Sequence, residues 1–113
     1  MKSTSASDAR QLFAAARRRI RTFTVSGTFA EACALVIGYD RASGGWLLDG
    51  FQQWLGHRHQ GRSELAFWIH VMHESFPDEP SLTTQELTAE QNHLAIDRLF
   101  ADLDDFLGDL VAE

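Results

Sequence analysis

Several features that would each point to a function are scarce in this chain. Its 113 residues include one cysteine, two prolines and one tyrosine. A single thiol, Cys33, cannot close an internal disulfide, and its neighbours Ala32, Ala34 and Leu35 indicate a buried small residue rather than a reactive one. The setting that fits is a reducing, intracellular compartment, which we expect to be the cytoplasm.

Long apolar runs are also missing. No stretch approaches the roughly 18 residues of a membrane span, because Glu31, Asp49 and His70 interrupt the longest candidates. We therefore expect a soluble protein with no membrane partner. Residues 1–6 lack the apolar core of a secretory signal and are interpreted as a flexible tail. Residues 7–113 are expected to form a single domain, large enough to bury a core without disulfides.

Strand-like alternation is almost absent, whereas apolar residues recur at helical spacing between clusters of Gly, Ser, Thr and Pro. The pattern predicts an all-α fold, a compact bundle of about five helices. The first helix is expected over about residues 8–20, with Ser7 as its cap. The second is expected from the capping pair Thr28 and Glu31 to Gly38.

The middle of the chain predicts two further helices. Trp46 opens one that ends near Gly56, and Ser63 caps the next, which stops before Pro77 and Pro80. The helix after Ser63 is apolar on two sides, which is typical of a helix at the centre of a bundle.

The last third predicts a short helical turn and then the longest helix. Thr83 and Glu86 mark the turn, and Thr88 with Gln91 forms a capping box at the start of the helix. Its expected apolar stripe consists of Leu94, Ile96, Leu99, Phe100, Leu103, Phe106, Leu107, Leu110 and Val111.

Charge is divided unevenly along the chain. Residues 1–21 carry six basic side chains and one acid, while residues 74–113 carry eleven acids and the single base Arg98. The net charge is −6. Such a field bears on partners and association rates rather than on the fold.

Histidines form two closely spaced pairs, which makes a metal site conceivable. The candidate ligands are His57 with His59, and His70 with His73. Residues three apart on a helix share a side, but no CxxC or further clustered ligand accompanies either pair. The alternative is that these histidines lie on the solvated side of a helix. We expect no cofactor.

Neither catalysis nor nucleic-acid binding is favoured by a motif. No serine or cysteine stands beside a histidine in a recognisable arrangement, so no catalytic residue is predicted. The arginines between residues 17 and 21 could contact phosphates. The acidic net charge argues against that interpretation, and the same arginines could instead pair with the acidic last helix.

Glycine and aromatic positions in the middle of the chain follow a suggestive order: Gly38-Tyr39, Gly50-Phe51-x-x-Trp54-Leu55, Arg58, Leu65-Ala66-Phe67-Trp68-x-x-Val71 and Phe76-Pro77. Over roughly residues 29–107, this order resembles small helical proteins of actinobacteria and other bacteria, some of which look like immunity partners of polymorphic toxins. Residues 21–27 depart from the Arg-Pro-Gly-Met-like segment of those proteins. The resemblance implies a protein that works by binding another protein and supplies no catalytic residue.

The leading hypothesis is therefore an immunity-type inhibitor that binds a cognate toxin, such as a basic toxin domain, through an acidic surface. The expected contact residues are Glu74, Asp78, Glu79, Asp97, Asp102, Asp104, Asp105 and Asp109. Two alternatives stay open: a metal-binding enzyme or sensor that uses the four paired histidines, and a regulatory factor that binds nucleic acid. The sequence does not indicate the oligomeric state.

Overall fold

Six helices follow one another in the computed structural model, which describes residues 2–62 and 64–112 and, from residue 5 onward, their side chains. They are α1 (Lys2–Arg18), α2 (Ile20–Phe23), α3 (Phe29–Ala42), α4 (Trp46–Arg58), α5 (Phe67–Ser75) and α6 (Ala89–Ala112). Within the described residues there is no strand. The radius of gyration is 13.5 Å, close to the about 13 Å expected of a folded domain of this size. The prediction of a compact all-α bundle is confirmed.

Two predicted capping boxes form as the sequence indicates. At the start of α3, the Glu31 amide donates to the Thr28 hydroxyl at 3.2 Å, and the Thr28 amide donates back to the Glu31 carboxylate at 3.3 Å. At the start of α6, Thr88 and Gln91 make the same reciprocal pair at 3.2 and 2.9 Å. Each box satisfies amides that have no partner inside the helix.

The first helix differs from its prediction. It begins at Lys2 rather than near residue 8, so Ser7 lies inside it and residues 2–6, which were expected to precede the helix, are helical. Met1 lies outside the described residues. The reason is packing: Ala6 and Ala9 are fully buried, and small side chains allow α1 to lie close against α6, its main neighbour.

Other boundaries also differ, among them the end of α3, which continues past the predicted Gly38 to Ala42. Helix α5 begins at Phe67, and its N-cap, Ala66, provides no side-chain cap; Ser63, the predicted cap, lies outside the described residues. The four-residue helix α2 adds a sixth element that the periodicity did not indicate. Helix α5 ends at Ser75, just before Pro77, as predicted.

Helix α6 forms the centre of the core. Its buried stripe includes Leu99, Leu103 and Leu107, which are all fully buried. Leu94, predicted to belong to the stripe, is 50% exposed. Because successive residues of a helix are rotated by about 100°, Leu94 lies on the side of α6 opposite Leu103. That side faces the solvent.

Helices α4, α5 and α6 meet at a group of aromatic rings. The ring centroid of Phe51 lies 6.1 Å from that of Phe67 and 5.6 Å from that of Phe106. Gly50 permits this approach, because a Cβ at that position would lie 2.9 Å from Cζ of Phe106. This aromatic group therefore packs α4 against α5 and α6.

Two helical glycines are expected to respond oppositely to alanine. At Gly38 a Cβ would meet nothing within 4 Å, so Gly38→Ala should raise the free energy of unfolding by up to about 1 kcal/mol through helix propensity. Gly50→Ala should lower it by about 1–2 kcal/mol, because the methyl group displaces the Phe106 ring. Urea denaturation of both variants measures the effects. A stabilising Gly50→Ala would show that the contact with Phe106 is not tight.

No helix within residues 2–62 and 64–112 combines the length and the apolar character needed to cross a membrane.

Candidate functional site

Charged and imidazole side chains meet where the end of α4 lies against α5 and α6. We call Arg58, His59, His70, Glu74, Arg98 and Asp102 the polar cluster. Its centre is Asp102, whose side chain is fully buried although it lies on the helix predicted to be an exposed acidic surface. Oδ1 of Asp102 lies 3.0 Å from Nη2 of Arg98 in an ion pair and accepts a hydrogen bond from Nη1 of Arg58 at 3.2 Å.

The positions of these residues follow from helix geometry. Arg98 and Asp102 are four apart on α6, as His70 and Glu74 are on α5, so each pair shares one side of its helix. Asp102 lies beside the buried Phe106 at the edge of the apolar stripe. The side of α6 that carries Arg98 and Asp102 therefore faces α5 rather than the solvent.

Two carboxyl groups of the polar cluster influence each other. Burial raises the pKa of Asp102 to about 7, and the neighbouring Glu74 carboxyl adds to the effect, against the opposing influence of Arg98 and Arg58. Oε2 of Glu74 lies 2.7 Å from Nε2 of His59, and its Oε1 is 3.8 Å from Nε of Arg98. The acid pair can thus hold a proton near neutral pH.

The two histidines of the polar cluster are stacked. Their ring centroids are 4.9 Å apart. Burial lowers the pKa of His59, assisted by the charge of Arg58, and burial also lowers the pKa of His70, assisted by His59. Both rings are therefore neutral at pH 7, and each can accept a hydrogen bond at one nitrogen and donate at the other.

Four buried polar atoms in this region have no hydrogen-bond partner within the described part of the chain. They are Nε2 of His70, Oε1 of Glu74, Nε of Arg98 and Oδ2 of Asp102. Native proteins leave few buried polar groups without a partner, and a concentration of them together with shifted pKa values is typical of functional sites. The polar cluster is accordingly the best candidate site in the described residues.

A cleft beside the polar cluster opens between the end of α4 and α5. It has a volume of about 240 Å³ and is lined by Arg58, His59, Gln60, Arg62, Leu65, His70 and His73. We call it the α4–α5 cleft. His70 is only 1% exposed, so the cleft reaches an interior residue.

The histidines predicted as metal ligands are only partly brought together. His59 and His70 are stacked, whereas His57 and His73 are exposed. Among the described residues, no three His, Cys, Asp or Glu side chains converge in a way that could hold a metal ion. The alternative of solvated histidines is wrong for His70, because its side chain is buried.

The predicted acidic contact surface separates into buried, paired and exposed members. Asp102 is buried and Glu74 is 11% exposed and sits in α5 rather than in a loop, so neither can serve as a surface contact. Asp97 pairs with Arg17, and Asp104 pairs with Arg10, each at 2.7 Å.

Asp97 stays exposed in its ion pair, and the exposed acidic members outside the two ion pairs are Asp78, Glu79, Asp105 and Asp109. Asp78 and Glu79 lie in the segment that leads to the start of α6, and the other two lie in its C-terminal half. Asp109 accepts a hydrogen bond from the indole nitrogen of Trp54 at 3.1 Å.

The basic residues of α1 and α2 behave partly as the sequence indicated. Arg10 and Arg17 pair with α6, which confirms that part of the charge asymmetry is neutralised internally. Arg18 and Arg21 are exposed and line a second cleft of about 560 Å³, where Arg17 and Asp97 also lie. We call it the α1–α6 cleft.

Cys33 is 6% exposed, and burial raises the pKa of its thiol to about 12. At neutral pH it is a protonated thiol and a small apolar residue of the core, which agrees with the prediction from its sequence neighbours.

The polar cluster as a unit was not predicted from the sequence. A signal was present: Arg98 and Asp102 are a charged pair at positions i and i+4, with Leu99 and Leu103 directly beside them. A charged pair next to the apolar stripe of a helix indicates that the pair lies at the edge of a core. The spacing does not predict that α5 is the helix that covers this side of α6.

Comparisons of the chain with protein-family models, with curated proteins and with solved structures find no match.

Proposed function

We propose that this chain is a protein-binding module, an immunity-type inhibitor that captures a basic toxin domain in the cytoplasm. The resemblance in the middle of the sequence supports the class of partner. The observation that carries the proposal is the acidic ridge, which we define as Asp105 and Asp109 on the exposed side of α6.

The acidic ridge keeps its charge after internal pairing. Four arginines, Arg10, Arg17, Arg58 and Arg98, already face carboxylates of α5 or α6. Asp105 is exposed. The chain carries 16 acids against 10 bases, so the surplus negative charge is on the surface, where it can steer a basic partner.

An aromatic side chain adjoins the acidic ridge. The half-buried Trp54 donates to Asp109, and the Arg58 guanidinium lies 4.8 Å from its ring centroid. Both contacts hold the indole in one orientation. A rigid, partly exposed tryptophan beside acids offers the kind of anchor that dominates binding energy at protein interfaces.

The proposal predicts that the acidic ridge controls the rate of association. The double variant Asp105→Asn/Asp109→Asn should bind the toxin-type product of an adjacent gene about 3–10-fold more slowly at low salt, because the steering field is weaker. The difference should shrink at high salt as charges are screened. Stopped-flow or biolayer measurements of the association rate constant provide the test.

The matched control is Asp78→Asn/Glu79→Gln, which removes the same two charges from the other exposed acidic group. It should change the rate less than the ridge variant. If both variants slow association equally, the acidic ridge affects the rate only through the net charge of the protein and not through its position. Absence of binding to any neighbouring gene product would overturn the function itself.

A further inference from the structure

The α4–α5 cleft differs in charge from the rest of the molecule. Its lining contains two arginines and three histidines but no acid, in a chain with a net charge of −6. The two arginines make this lining locally cationic in an acidic protein, which favours an anion in the cleft over the surrounding surface.

Arg58 and Arg62 supply the positive charge in different ways. Arg58 is held by Asp102 at 3.2 Å and by the Trp54 ring, which leaves its other guanidinium N–H groups free of those contacts. Arg62 is 60% exposed, and the acid nearest to it, Glu64, lies 4.0 Å away, beyond hydrogen-bond distance. Guanidinium groups bind carboxylate and phosphate oxygens with paired, charge-assisted hydrogen bonds.

His70 is the most buried residue of the cleft lining. The residue is 1% exposed, its ring lines the cleft, and its Nε2 has no hydrogen-bond partner in the described part of the chain. Because the His70 ring is neutral at pH 7 and bonds the Arg62 backbone, its free nitrogen is an acceptor and can take a hydrogen bond from the P–OH group of hydrogen phosphate. A buried unpartnered nitrogen costs free energy, which hydrogen phosphate would recover.

We propose that the α4–α5 cleft is a binding site for a small oxyanion, a phosphate or carboxylate group, held by Arg58 and Arg62, with His70 accepting a hydrogen bond from the P–OH group when the oxyanion is phosphate. This site is separate from the acidic ridge and does not rest on the proposed function.

The α1–α6 cleft is the competing location, and the observations favour it less. Although Arg17, Arg18 and Arg21 line it, so does Asp97, which already pairs with Arg17 at 2.7 Å. None of the four unpartnered buried atoms belongs to a residue of that cleft. It serves as the internal control.

Histidine resonances can locate a bound anion. Inorganic phosphate is titrated into the full chain while the five assigned imidazole signals are followed by NMR. His59, His70 and His73 line the α4–α5 cleft, His93 lines the α1–α6 cleft, and His57 lines neither. We expect saturable shifts of the first three, with His57 and His93 unchanged. Saturable shifts confined to His93, or no saturable shift at all, would overturn the proposal.

Arg62→Gln tests the arginine contacts, and its exposure makes it compatible with folding. It should weaken phosphate binding at least about tenfold, through the loss of charge-assisted hydrogen bonds. Arg18→Gln removes the same charge at the other cleft and should leave the affinity within about twofold. A parallel titration with acetate separates the two sources: tighter acetate binding identifies a carboxylate ligand, and tighter phosphate binding a phosphate group. An Arg62→Gln variant with unchanged affinity for both anions contradicts the proposal.

Discussion

Replacing Asp102 by alanine is expected to lower the free energy of unfolding by about 2–4 kcal/mol, since it removes a buried carboxyl group and leaves the polar groups that face it without its oxygens. Arg98 would lose an oxygen at 3.0 Å while its Nε stays buried. The value lies below that for a wholly buried pair, because the Arg58 and Arg98 side chains are 41% and 37% exposed and can turn to water. Urea denaturation at neutral pH measures it.

The control for this prediction is Asp105→Ala, on the same helix but exposed, which should change stability by no more than about 0.5 kcal/mol. A cost of Asp102→Ala no greater than that of the control would mean that the polar cluster contributes nothing to the fold. The comparison also separates the buried acid from the general removal of charge.

The variant Asp102→Asn separates the effect of the titratable proton on Asp102 from the effect of side-chain shape. Its amide keeps the shape of the side chain and can donate to Oε1 of Glu74, which has no hydrogen-bond partner in the described residues. In the wild type, the folded state keeps a proton on Asp102 up to about pH 7, whereas the ordinary pKa of the group is 3.8. Between these values the folded state binds more protons, so wild-type stability falls as pH rises.

The stability of the wild type relative to Asp102→Asn should therefore be greatest at acidic pH and decrease as pH rises through about 7. The lowered pKa values of His59 and His70 act in the opposite direction, but they are common to both proteins and largely cancel in the difference. A stability difference that does not change with pH would show that Asp102 stays ionised in the folded protein.

Truncating Phe51 to alanine is expected to lower the free energy of unfolding by about 3–5 kcal/mol, the usual range for a buried phenylalanine. The side chain is fully buried and contacts rings on three helices: Trp54 on its own helix, Phe67 on α5 and Phe106 on α6. Rings fixed by backbone on three sides cannot collapse into the cavity, so the cost should lie in the upper half of the range.

Trp68→Ala is the matched aromatic control. Its side chain is 38% exposed, and its ring contacts that of Phe67 at 5.3 Å, so the loss should be about 1 kcal/mol. Denaturant titrations of both variants give the comparison. Equal losses would mean that the aromatic group is not the point where α4, α5 and α6 are joined.

Local signals predicted the parts of the fold that depend on neighbours in sequence. The Thr28 and Thr88 boxes involve residues three apart, so the spacing alone contains the geometry. The start of α1 was missed because Ala6 is held by contact with α6, more than eighty residues away in the chain. Leu94 was misplaced because an apolar residue next to a stripe does not reveal that its side of the helix faces solvent.

The candidate site also depends on contacts between helices that local sequence signals do not predict. Asp102 and Asp105 are both aspartates on one helix. Only Asp102 has a basic residue four positions before it, and that spacing does not reveal which neighbouring helix covers its side. A three-residue offset places one against α5, where burial raises its pKa, and leaves the other in water. Likewise, the spacing of His70 and Glu74 predicts a shared helix side but not that His59, from the end of α4, stacks on that side.

Composition and spacing within one helical turn were enough to establish the helical class, two helix caps, the buried state of Cys33 and the acidic surplus. The packing of the helices established which charges are paired inside and which remain outside. Packing of α1 against α6 pairs Asp97 and Asp104 with arginines of α1. Packing of α5 against α6 buries Asp102, whereas Asp105 stays exposed. Whether an acid of α6 is paired, buried or exposed depends on which side of α6 each neighbouring helix covers. Contacts between residues distant in sequence determine those positions.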